Sequence, residues 1–125
     1  MPAGECMKTE HEEQREFVSW WRKTRPETLI FAVPNGGYRS PQTAARLKVE
    51  GVIPGIPDLC VPRGPGGLPI WIEMKRSKGG KLSAAQRSVI DYLRAAGHSV
   101  IVAHGCDDAI RQVTEIAMSA AHRDI

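Results

Sequence analysis

Cysteine is scarce in this 125-residue chain. Cys6, Cys60 and Cys106 are odd in number, widely spaced and contain no Cys-x-x-Cys pair, which argues against a disulfide framework and a structural zinc site. All three are expected to be reduced thiols, with Cys60 a small core residue of its strand. His104-x-Cys106 brings two ligand types into one loop, too few for a metal site without further ligands. Long apolar runs are also missing: none approaches the roughly 18 residues a transmembrane helix needs. The opening Met-Pro-Ala-Gly-Glu-Cys lacks the basic-then-apolar layout of a signal peptide. A cytoplasmic protein without a membrane partner is the expectation. No internal repeat or low-complexity stretch is visible.

What is present, 42% apolar and 25% charged residues, fits one ordinary globular domain with a single core. Residues 1–8 show no periodicity and read as a frayed, disordered tail, leaving 9–125 as the domain. The net charge of +3 is modest but uneven. Arg63, Lys75, Arg76, Lys78, Lys81 and Arg87 face one acid, Glu73, so the segment 63–87 carries +5 and the rest nets −2. A basic concentration beside acids suits an enzyme acting on a polyanion, although a solvated loop has the same composition.

Local signals set the order of elements. Thr9 with Glu12 forms a capping box for a helix beginning at Glu10, whose apolar stripe is Phe17, Val18, Trp20 and Trp21 and which Pro26 ends. Residues 28–33 read as a short strand, and Pro34-Asn35-Gly36-Gly37 as a turn. Ser40-Pro41 starts a helix that Gly51 stops. Residues 52–57, with two prolines, form a shaped loop that delivers Asp58. Strands follow over 58–61 and 68–75. Ser83 and Gln86 cap the next helix, which ends at Gly97; residues 98–103 make a buried strand, and Asp107 is placed to cap the last helix. The order α-β-α-β-β-α-β-α predicts an α/β or α+β three-layer domain on one mixed sheet.

Chemistry concentrates between Pro57 and Lys81. Asp58 and Glu73 are equidistant from the centre of Arg63-Gly64-Pro65-Gly66-Gly67-Leu68, so a hairpin turning there sets the two carboxylates opposite one another. Glu73 and Lys75 share one face of their strand, while Ile70, Ile72 and Met74 take the other. Paired carboxylates suit a hard divalent cation, to which the Met74 carbonyl can add a neutral oxygen. A lysine beside them can stabilise developing negative charge or position an attacking water in phosphodiester hydrolysis. The plainer reading makes Asp58 a turn residue and Glu73–Lys75 an ion pair on a solvated face.

Pro57-Asp58 and Glu73-Met74-Lys75 resemble the PD-(D/E)xK nuclease signature. Glu10 with Gln14, Pro34-Asn35-Gly36-Gly37, Gly51-x-x-Pro54-Gly55-x-Pro57-Asp58 and Lys81-Leu82-Ser83-x-x-Gln86 narrow the resemblance to the VRR-NUC (virus-type replication-repair nuclease) branch, over residues 10–116. It implies a restriction-endonuclease-like αβββαβ core with a mixed central sheet flanked by helices, and magnesium or manganese as cofactor. Metal binding falls on Asp58 and Glu73, joined by a glutamate of the first helix, mapped to Glu10 with Glu13 as the alternative. Lys75 takes the transition-state or water-orienting role, and Gln86 stands near the metal. With the basic segments, DNA contacts are expected at Asn35, Arg39, Arg76, Lys78 and Lys81. Small stand-alone members resemble Holliday-junction resolvases of viral or bacterial origin, which implies branched DNA as partner, a homodimer and a bacterial or phage-infected cell. A restriction-like or exonucleolytic enzyme and a non-catalytic DNA-binding module are the alternatives.

Overall fold

Helix α1 (Glu10–Thr24) starts where the local signal puts it: the Thr9 hydroxyl accepts from the Glu12 N–H, and the Glu12 carboxylate accepts from the Thr9 N–H, both at 3.1 Å. The computed structural model describes residues 7–34 and 39–123. Most of the tail expected over 1–8, and the turn residues Asn35, Gly36 and Gly37, lie outside them. The chain continues as β1 (Phe31–Ala32), α2 (Pro41–Val49), β2 (Leu59–Val61), a 3-10 turn, β3 (Ile70–Lys75), α3 (Ala84–Ala95), β4 (Ser99–His104) and α4 (Cys106–Arg123). This is the order read from the sequence.

The four strands form one sheet in the order β1-β2-β3-β4. The first two pairings are antiparallel and β3–β4 is parallel, the crossover helix α3 making the parallel pair possible. One face of the sheet carries Leu59, Val61, Ile70, Ile72, Met74, Ile101 and Ala103, buried against Phe17 and Trp21 of α1 and Ala109 and Val113 of α4. The other face holds a smaller cluster in which Ile90 and Leu93 of α3 cover Val100, with Trp71 and Val102 beside them. Fully burying side chains such as Phe17, Ile72 and Ile90 contributes about 1.5–3 kcal/mol each, so both helix layers are firmly held to the sheet.

Two boundaries differ from expectation. The strand expected over 28–33 shrinks to two exposed residues, because Leu29 points to solvent and only Phe31 and Ala32 enter the ladder, opposite Cys60 and Leu59. Helix α4 begins at Cys106, so Asp107 lies in its first turn instead of capping it. The Cys106 N–H is taken by the Glu13 carboxylate at 3.2 Å, from 93 residues away. Helix α2 has the predicted Ser40 cap, yet none of its residues is buried.

Candidate active site

The register of the β2–β3 hairpin pairs Leu59 with Ile72, Cys60 with Trp71 and Val61 with Ile70. One step beyond Leu59–Ile72 stand Asp58 and Glu73, as their equal distance from the turn requires. Asp58 lies just outside β2, and its Oδ2 accepts the Met74 N–H at 2.8 Å. The N–H and C=O of one residue leave a strand on the same edge, so the Met74 carbonyl also faces the Asp58 side. Alternation sends Met74's side chain into the core and turns Glu73 and Lys75 to the α3 face, where both are buried.

Two buried ionisable side chains need hydrogen-bond partners. Gln86 supplies them to both. Its Oε1 accepts from Lys75 Nζ at 3.2 Å, and its Nε2 donates to Glu73 Oε1 at 3.2 Å. The same Oε1 accepts the Ser83 N–H at 2.9 Å, and Ser83 Oγ accepts the Gln86 N–H at 3.1 Å, so the capping box of α3 fixes the amide between the acid and the lysine.

The proline-rich loop is docked onto this helix start. Gly55 has φ +92°, a conformation that side-chain-bearing residues rarely adopt, and a Cβ on it would lie 2.6 Å from the Ala85 carbonyl group and 2.8 Å from the Gln86 nitrogen. Pro57 is fully buried next to Asp58. The local sequence marks Gly55 only by its position between two prolines, Pro54 and Pro57.

Burial is the main reason the Glu73 carboxyl is pushed up to about 9, followed by the hydrogen bond and negative charge of Asp58; Lys75 opposes the shift and Glu10 adds to it. The exposed Glu10 is therefore within electrostatic reach of the pair. Glu13, one turn on, is buried and occupied at the start of α4, with its Oε2 packed where a Gly105 side chain would stand. Among the described residues no group of three or more His, Cys, Asp or Glu is arranged to hold a metal ion. Asp58, Glu73 and the Met74 carbonyl are hard oxygen donors. They fit a cation of the magnesium kind, which is held by one or two carboxylates and keeps several waters.

Arg76, Lys78 and Lys81 are exposed on the segment joining β3 to α3, and none forms a salt bridge among the described residues. Arg39 is half-buried, its guanidinium donating to the Pro34 carbonyl at 3.3 Å, and Asn35 lies outside the described residues. A cleft of about 460 Å³ lined by Arg94 and His98 sits at the opposite end of β4 and contains none of these groups.

A mixed sheet between helix layers, with two acids and a lysine at one end of its central hairpin, defines a nuclease-type α/β domain. Residues 5–107 match the model of the VRR-NUC domain, and the chain belongs to that family. It is similar to a solved structure described as a VRR_NUC domain protein, with 26% identity and a TM-score of 0.74 over 86% of this chain and 87% of that one. No curated protein matches the chain.

Proposed function

We propose that this protein is a magnesium- or manganese-dependent DNA endonuclease that hydrolyses phosphodiester bonds at branched DNA, working as a homodimer in the cytoplasm of a bacterial or phage-infected cell. The observation that carries the reading is the Asp58–Glu73 pair, with Lys75 and Glu73 joined through Gln86. Asp58, Glu73 and the Met74 carbonyl, with Glu10 at the margin, would hold the cation, which supplies Lewis-acid polarisation of the phosphate and a water of lowered pKa. Asp58 is kept in place by the Met74 N–H. Lys75, buried and positioned by Gln86, points an ammonium at the region where negative charge develops on the phosphate, or orients the attacking water. Gln86 also holds Glu73 in one orientation, so the acid and the lysine keep a fixed geometry. Arg39, Arg76, Lys78 and Lys81, with Asn35, grip the sugar–phosphate backbone around the site. Symmetric cleavage of a four-way junction takes two active sites related by a two-fold axis, which the homodimer supplies.

Labelled four-way junctions, flaps and linear duplexes are incubated with the wild type and Glu73→Ala in magnesium or manganese. The expected result is wild-type cleavage, fastest on the branched substrates, and a loss of at least a hundredfold in the variant, as for removal of a group acting on the transition state. Equal inactivity of both proteins on every substrate would sink the proposal.

A further inference from the structure

A second basic surface lies on the first helix, away from the segment that follows β3. Helix α1 and the edge strand β1 enclose an open groove of about 550 Å³, lined by His11, Gln14, Arg15, Arg22, Lys23 and the exposed Ala32 among others. No acid lines it, although α1 carries Glu10, Glu12, Glu13 and Glu16. Three of these acids are engaged elsewhere: Glu12 closes the Thr9 cap, Glu13 holds the start of α4, and Glu16 pairs with Lys8 at 2.8 Å. The side chains of Arg15, Arg22 and Lys23 are exposed and form no salt bridge among the described residues.

The spacing is what makes this a surface and not a scatter of charges. His11, Arg15, Val18 and Arg22 recur at helical intervals of three and four, so they share one stripe of α1. Basic residues in the last turn of a helix complement its dipole, which accounts for Arg22 and Lys23 but not for Arg15 or His11, further toward the N-terminus. The stripe begins one residue after Glu10, whose charge acts on Glu73. At its other wall, Ala32 of β1 is followed by Val33, whose N–H donates to the Asp58 carbonyl at 2.8 Å. Both walls of the groove thus lead to the paired acids. Two copies of so basic a groove repel one another, so the occupant that its charge selects is a polyanion.

We propose that the α1–β1 groove is a second phosphate-binding track, holding the sugar–phosphate backbone of the DNA on the β1 side of the acids while the segment from Arg76 to Arg87 holds it on the α3 side. This rests on the reading of the chain as a DNA endonuclease and adds to it a binding surface distinct from that segment. His11 to Lys23 covers about 18 Å at about 1.5 Å per helical residue, the length of about five phosphates along one strand of B-DNA. Three cations on that length contact up to three of them.

The test is binding of a fluorescently labelled four-way junction and a linear duplex in chelator, where no cleavage competes, between 50 and 200 mM salt. Each lost phosphate contact lowers the slope of log K against log salt by about 0.9. Arg15→Ala/Arg22→Ala/Lys23→Ala is expected to weaken binding at least about tenfold at the lower salt and to reduce the slope by about 2–3, with its melting temperature unchanged. Arg15→Lys/Arg22→Lys, which keeps the charge, is expected to retain most of the affinity and slope. A wild type that binds and cleaves DNA, beside a triple-alanine variant with the same slope and affinity, would overturn the track and leave the nuclease reading standing. A wild type that neither binds nor cleaves overturns both.

Discussion

Glu73 carries a cost that the rest of the site has to offset. Its carboxyl titrates near 9 in the folded chain against an ordinary value of 4.5, so between those values the folded state binds more protons than the unfolded one. Without a divalent cation, the stability associated with this group is fully present below about pH 4.5. It is lost as the pH rises toward 9, at up to about 1.4 kcal/mol per pH unit. In chelator the wild type is therefore expected to melt at progressively lower temperature from pH 5 to pH 9, while Glu73→Gln follows a flatter profile. Parallel profiles for the two proteins would show that the acid is not strained in this way. Gly55 is the second residue on which the site depends. Gly51 and Gly55 both have positive φ, +103° and +92°, but an added Cβ at Gly51 meets nothing within 4 Å, whereas at Gly55 it strikes the backbone of α3. Gly51→Ala is expected to cost about 1 kcal/mol from backbone conformation alone, and Gly55→Ala about 2 kcal/mol or more. The loss of cleavage is expected with Gly55→Ala only, because its loop and Gln86 move together. Urea midpoints and cleavage rates for the pair separate the two effects.

At the scale of elements, what could be read from the sequence was what depends on near neighbours along the chain. Thr9–Glu12 and Ser83–Gln86 are each three residues apart, so their capping boxes follow from the sequence alone. The Asp58–Glu73 pairing follows from the symmetry of one turn, and the register of β2 against β3 agrees with it. The start of α4 did not follow, because its first N–H is satisfied by Glu13 from a helix at the other end of the chain. The short β1 and the groove beside it were not legible either, since they depend on which residues of residues 28–33 find a partner strand. The same non-local contact gives different surroundings to Glu10 and Glu13, the two glutamates of α1 between which the family resemblance leaves the choice open. Glu13→Ala leaves the α4 terminus uncapped in a buried setting and is expected to cost about 1–3 kcal/mol. Glu10→Ala, at an exposed position, is expected to change stability by less than about 0.5 kcal/mol and to reduce cleavage instead. Chemical denaturation and nuclease assays on both variants check this; a reversal of the two outcomes would move the helix acid of the site to Glu13.

The two edges of the sheet differ, and that difference bears on how whole molecules can associate. Strand β4 has a neighbour on one side only, yet its outer edge is not left open. Arg94 of α3 donates to the Val100 carbonyl at 3.0 Å, Gln112 of α4 donates to the Val102 carbonyl at 3.0 Å, and the Asp108 carboxylate accepts the His104 N–H at 2.8 Å. Side chains from both helix layers thus occupy groups that another strand would need, a common way of blocking edge-to-edge pairing. A homodimer that kept this arrangement would have to form through the β1 side or the helix faces. Removing the plugs is expected to change that. In Arg94→Ala/Gln112→Ala two carbonyls at this edge lose their partners, with an expected loss of about 1–3 kcal/mol in stability and a new tendency of the sheet to pair through β4. Light scattering over a range of concentrations is expected to show the variant adding mass beyond that of the wild type, whatever the wild-type assembly is. An unchanged mass at every concentration would mean that Arg94 and Gln112 stabilise the β4 carbonyls without guarding the edge.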